Sequence, residues 1–110
     1  MCAEDELKER RKFLRYNGCL NVNFLNPPIN NHAFTCDLSL KGLGVFVHHQ
    51  LSAQKLVELC IFHPFENNKS IYIKGKVVWL RQMYFYIYRV GIEIQEVNEK
   101  DLNALLELYQ

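Results

Sequence analysis

Period-two alternation is the feature that most restricts what this chain can become. Its clearest run is Ile71-Tyr72-Ile73-Lys74-Gly75-Lys76-Val77-Val78-Trp79, in which Ile71, Ile73, Gly75, Val77 and Trp79 are in phase. Side chains alternate across a strand and recur every 3.6 residues on a helix, so this pattern predicts a strand with one buried face, over 71–80. The same period recurs upstream. Leu20, Val22 and Phe24 alternate with Cys19, Asn21 and Asn23, and Asn26-Pro27-Pro28 then breaks the run. A second strand is expected over 32–36, a third over 44–48 with Val45 and Val47 on one face, and a fourth over 56–62. Asp37 to Gly42 reads as a turn, because Asp and Ser bond their own backbone and Gly tolerates unusual dihedrals. Pro64 to Lys69 reads as a polar loop, and Arg81-Gln82 as the turn into a sixth strand over 83–94.

The period changes once. Asn98 can cap a helix, with Asp101 three residues on, and Leu102, Leu105, Leu106 and Tyr109 fall at i, i+3, i+4 and i+7. Six strands with short antiparallel connections and one apolar helical stripe predict a mainly β fold, a small six-stranded barrel covered by a C-terminal helix. The 110 residues suit one domain, divided into a frayed lead-in (1–9), an arginine segment (10–15), a barrel (16–95) and a helix (98–110). Hydrophobic residues make up 49% of the chain, which excludes a disordered polypeptide. Seven Phe, six Tyr and one Trp favour strands.

Cys2, Cys19, Cys36 and Cys60 form no C-x-x-C pair, no secretory signal precedes them, and no apolar run approaches the ~18 residues of a membrane span. Free thiols in a reducing cytoplasm are the expectation. Cys36, Cys60, His48, His49 and His63 match no zinc spacing, so no metal is expected. No nucleophile–base pair and no Gly-rich phosphate loop stands out, so the chain is not expected to be an enzyme.

Charge is local rather than global. The net charge is +1, but Lys8, Arg10, Arg11, Lys12 and Arg15 against Glu9 give residues 8–15 a charge of +4. A focused cluster of this kind attracts a small anion. Two motifs carry the chemistry. Arg11-x-x-x-Arg15, with Arg10 before it, sets guanidiniums four residues apart, and guanidiniums bind phosphates and the O6/N7 edge of guanine in a bidentate way. Asp37-x-Ser39-x-x-Gly42 sets a carboxylate, which accepts from N–H groups, beside a hydroxyl and a tight turn. Each motif alone also has a plain structural explanation. Arg11 and Arg15 are neighbours on any solvated helix face, and Asp37, Ser39 and Gly42 can be an ordinary hairpin turn. Trp79 reads as packing in the core or barrel wall, with stacking on a base as the alternative for an aromatic near the site, and Arg89 and Glu93 read as surface charges.

In this order and strand context the two motifs resemble the PilZ domain, a bacterial receptor module for cyclic di-GMP. Gly44-Val45-Phe46-Val47, Lys74-Gly75-Lys76-Val77-Val78-Trp79 and Tyr88-Arg89-Val90-Gly91-Ile92-Glu93-Ile94 are similar to the family as well. The resemblance extends from about residue 9 to the C-terminus. It implies a six-stranded barrel with a C-terminal helix and an arginine segment that folds over a ligand on the barrel surface. By the same resemblance, Arg11 and Arg15 grip phosphate and guanine, Asp37 accepts from guanine N–H groups, Ser39 bonds phosphate or base, and Gly42 allows close approach. Arg10 adds a guanidinium that stacks on guanine or helps to hold a second, stacked ligand molecule. The implied protein is a cytoplasmic second-messenger receptor with no cofactor, binding neither DNA nor the membrane interior, that orders its arginine segment and signals to a partner protein. Two other functions fit parts of the chain. One is a PilZ-like adaptor in pilus assembly or motility that dispenses with the nucleotide. The other is a small barrel for single-stranded nucleic acid, which strand-borne aromatics favour and the near-neutral charge does not.

Overall fold

The computed structural model describes residues 15, 16, 18–66 and 68–108. The lead-in over 1–9, Arg10, Arg11 and the expected last stripe residue Tyr109 lie outside the described residues. Seven strands and one helix follow in chain order: β1 (Arg15–Tyr16), β2 (Asn21–Asn26), β3 (Pro28–Ser39), β4 (Gly42–Val47), β5 (Leu56–Phe62), β6 (Ser70–Tyr84), β7 (Ile87–Val97) and α1 (Glu99–Glu107). All strand pairings are antiparallel. The order β3-β2-β5-β6-β7-β4 closes on itself through a β3–β4 pairing, giving a six-stranded barrel. The two-residue β1 is an extra strand laid against the end of β3. Closure leaves the six strands no long exposed edge around the ring.

The alternation fills the barrel as expected. Val22, Phe24, Val45, Val47, Val57, Leu59, Ile61, Ile71, Ile73 and Val77 all point inward and are buried. Asn98 caps α1, its side chain accepting from the Asp101 N–H at 3.1 Å. Leu102, Leu105 and Leu106 from the helical stripe then join the barrel core. Thr35 is the one buried polar side chain among the described residues. Its hydroxyl accepts from the Leu20 N–H (2.9 Å) and donates to the Gly18 carbonyl (2.7 Å), tying the approach to β2 onto β3. No helix among the described residues is long and apolar enough to cross a membrane.

Four sequence expectations need correction. The second strand begins at Pro28 rather than 32, because the reversal after β2 takes a single residue, Pro27. Asp37 and Ser39 lie on the end of β3 rather than in a turn, and the reversal is confined to Leu40 and Lys41. Arg81-Gln82 does not turn. It sits inside a 15-residue β6, and the reversal falls at Phe85-Tyr86. Polar residues 81 and 82 are solvated on a hairpin that outruns the barrel, which is why they resemble a turn. Trp79 is not in phase with Val77, because the β6–β7 register shifts between Val77 and Trp79.

Candidate functional site

Two register shifts build the site. Thr35 faces the core, so simple alternation would turn Asp37 inward as well. The β3–β4 register shifts between Thr35 and Asp37, and the extra residue, Cys36, sends Asp37 outward while Leu38 stays buried. Val78 does the same on β6, so Trp79 faces out and is 44% exposed. Bulges commonly re-aim side chains beside functional sites.

The two re-aimed side chains stand at opposite ends of one cross-strand row. Asp37 pairs with Gly44, Gly44 with Gly91, and Gly91 with Trp79. At ~4.8 Å between strands the row is about 14 Å wide. The glycines leave its floor without side chains, and each is required by close approach. A Cβ on Gly44 would lie 2.7 Å from Cys36 Sγ and 3.0 Å from Asp37 Oδ2. A Cβ on Gly91 would fall inside the Trp79 indole. The next row pairs Arg15 with Ser39, crosses the β3–β4 turn to Gly42, and continues through Glu93 to Lys76. On the other side lies Phe34, Phe46, Arg89 and Arg81. The first row, with Ser39, Gly42 and Glu93 of the second, lines an open depression of about 410 Å³.

Ser39 holds the turn. Its hydroxyl accepts from the N–H groups of Lys41 (3.2 Å) and Gly42 (3.3 Å) and donates to the Gly42 carbonyl (3.3 Å). Gly42 has no positive φ. It must be glycine because a Cβ there would meet the Ile92 carbonyl oxygen at 2.7 Å. The expectation that Gly42 serves close approach therefore applies to the neighbouring strand β7.

Asp37 is held from both sides. Its Oδ1 accepts from the Gly44 N–H at 2.9 Å, and its Oδ2 faces Arg89 Nη2 at 3.4 Å. The same guanidinium lies 5.9 Å from the centre of the Trp79 ring, within cation–π range. Burial pushes the Cys36 thiol above its ordinary range, and the Asp37 charge adds to that, partly opposed by Arg89.

Asp37, Ser39 and Gly42 thus come together, and Arg15 is brought opposite Ser39 by backbone register. Arg10 and Arg11 lie outside the described residues. Arg89, read from sequence as a surface charge, is half-buried and paired with Asp37. Trp79, read as wall packing, borders the depression. The signal for both was the bulges, and a bulge leaves no mark on a hydrophobic pattern when the added residue is a Cys or a Val. The two glycines that form the floor were visible in sequence only as members of the family-like segments 44–47 and 88–94, with no role assigned.

Comparison with known proteins agrees with this architecture. The structure is similar to that of the Bacillus subtilis inhibitor of motility, MotI/DgrA, with a TM-score of 0.72 and 22% sequence identity. The match covers 90% of this chain and 48% of that one, so this chain spans about half the length of that protein. Among curated proteins there is no match. The family model of the PilZ domain matches residues 9–110. Barrel, extra strand, helix and family match together establish that the chain belongs to the PilZ domain family, whose members are binding and effector modules rather than enzymes.

Proposed function

We propose that this protein is a receptor for cyclic di-GMP. The ligand is a compact dianion with two guanines and two phosphodiesters. Arg11 and Arg15 bind its phosphates and guanine O6/N7 edge, where the planar fork of arginine gives two parallel bonds that lysine cannot. Asp37 accepts from guanine N–H groups. Ser39 and Gly42 keep the turn low enough for the ligand to lie on the glycine floor, and Arg10 closes over the outer face, where a second, stacked ligand molecule would sit.

The observation that supports this most is the pairing of Arg15 with Ser39, which joins the end of the arginine motif to the Asp37–Gly42 motif on one side of the barrel. Binding then orders the segment that leads into β1, from residue 8, against the barrel and presents a new surface to a partner protein. On this reading the protein works in the cytoplasm, with its thiols free. Calorimetric titration with cyclic di-GMP, with cyclic di-AMP and GTP as controls, tests it. Saturable binding of cyclic di-GMP, with at least ~100-fold weaker binding of the controls, is expected for a site that pairs charged and hydrogen-bonding groups with the base edge. No binding, or equal binding of all three, overturns it.

A further inference from the structure

We propose that Arg89 is a specificity-determining residue. It reads guanine O6 beside the N1–H and N2–H groups read by Asp37, and Trp79 acts as the positioning residue that holds it there. This rests on the receptor reading and extends it to a residue outside both sequence motifs. The argument starts from what the pair leaves unused. Arg89 Nη2 stands 3.4 Å from Asp37 Oδ2, longer than the ~2.8 Å of a tight charge-assisted bond. Arg89 Nε is buried and has no hydrogen-bond partner among the described residues. Asp37 keeps acceptor capacity too: Oδ1 takes only the Gly44 N–H, and Oδ2 takes Arg89 at 3.4 Å and the weak Cys36 thiol at 3.9 Å, a contact that a guanine N–H displaces. A buried donor without an acceptor is costly, so the guanidinium is not locked in this arrangement and gains by turning toward an acceptor placed beside Asp37.

The order of groups gives the specificity. Asp37 lines the depression, and Arg89 stands beside it in the adjoining row, 3.4 Å from Oδ2, so the order is two acceptors, the carboxylate oxygens, and then a donor, the guanidinium. Guanine presents the complement along one edge: N2–H, N1–H and O6, that is donor, donor, acceptor. Adenine presents C–H, a lone pair at N1 and an amino group at N6, which sets a lone pair against a carboxylate and N–H donors against a cation. A site built to bond polar groups rejects a ligand that leaves them unpaired. Arg89 keeps its place because its neighbours leave few alternatives. Its register partner Arg81 repels it, and the Trp79 face lies 5.9 Å from the guanidinium carbon.

The test uses the full chain as parent, Arg89→Met and Arg89→Lys. Each is titrated with cyclic di-GMP, cyclic di-AMP and the inosine analogue, which keeps N1–H and O6 but lacks the N2 amine, by competition against a fluorescent cyclic di-GMP. Arg89→Met is expected to weaken cyclic di-GMP and the inosine analogue by the same factor, about 10- to 100-fold for the loss of a base-edge contact, and to leave cyclic di-AMP unchanged. Arg89→Lys, which keeps a charge and a single donor, is expected to recover part of that loss. Equal weakening of all three ligands would mean that Arg89 serves only the barrel wall, and would overturn the proposal. An unchanged preference for guanine in either variant overturns it also. Should Arg89→Met fail to melt cooperatively, the Arg89→Lys comparison decides alone, since it too must lower the guanine-to-adenine ratio. A parent that does not bind cyclic di-GMP fails in the first titration, which marks the receptor reading itself as the error.

Discussion

At Gly44 a single hydrogen atom separates a usable carboxylate from a displaced one. Its missing side chain lets Cys36 and Asp37 approach the β4 backbone, and its N–H fixes Asp37 Oδ1 at 2.9 Å. Gly44→Ala is expected to destabilise the fold by about 1–3 kcal/mol through overpacking and to weaken cyclic di-GMP binding. Adding Cys36→Ala should return part of the melting temperature, because Sγ is the nearest atom to the new methyl. Additive losses in the double variant would contradict this geometry. The neighbouring thiol offers a second check. Burial and the Asp37 charge raise its pKa, so less thiolate is present at any given pH, whereas Cys19 is exposed. Site-resolved mass spectrometry is expected to show Cys36 alkylated more slowly than Cys19 at pH 8. Asp37, Ser39 and Gly42 were legible as a group because their spacing is short and local. Arg89 was not, because its partner is 52 residues away and nothing local marks an ion pair across three strands.

Among the elements, the long β6–β7 hairpin shows where pattern reading fails and why. The alternation of β6 is clean from Ile71 to Val77, and inside–outside assignment from it holds there. Past Leu80, which still packs against the core, the hairpin leaves the barrel, so no core selects one face. Tyr84, Phe85 and Tyr86 are exposed, Phe85 at 86%. Phe85→Ser is therefore expected to change stability by less than ~0.5 kcal/mol, measured by denaturant unfolding. A larger loss would mean that the tip packs on the body. The arginine segment is the other element with a defined expectation. Hydrogen exchange should show amides from residue 8 up to β1 gaining protection when cyclic di-GMP is added, and unchanged exchange would contradict an ordering step. On the receptor reading, Arg11→Ala and Arg15→Ala should each lower affinity roughly 30- to 1,000-fold, the loss of about 2–4 kcal/mol expected for one bidentate charged contact.

Over the whole molecule, a closed ring of antiparallel strands supplies the rigid surface, and α1 completes its core. Leu106 is fully buried in the barrel core, so Leu106→Ala is expected to cost about 2–5 kcal/mol in thermal or denaturant unfolding. The ring was legible in advance because period two, turn residues and one change to helical period are global signals. The extra strand β1 was not, since two residues carry no period. The ring brings Asp37, Gly44, Gly91 and Trp79 from four strands into a single outward row. Two-dimensional NMR of the labelled protein, titrated with cyclic di-GMP, tests that row most directly. The largest shift changes are expected at the amides of 37–44 and 89–93 and at the Trp79 indole N–H. Changes centred elsewhere on the barrel, with these signals unmoved, would contradict a guanine dinucleotide site on this face.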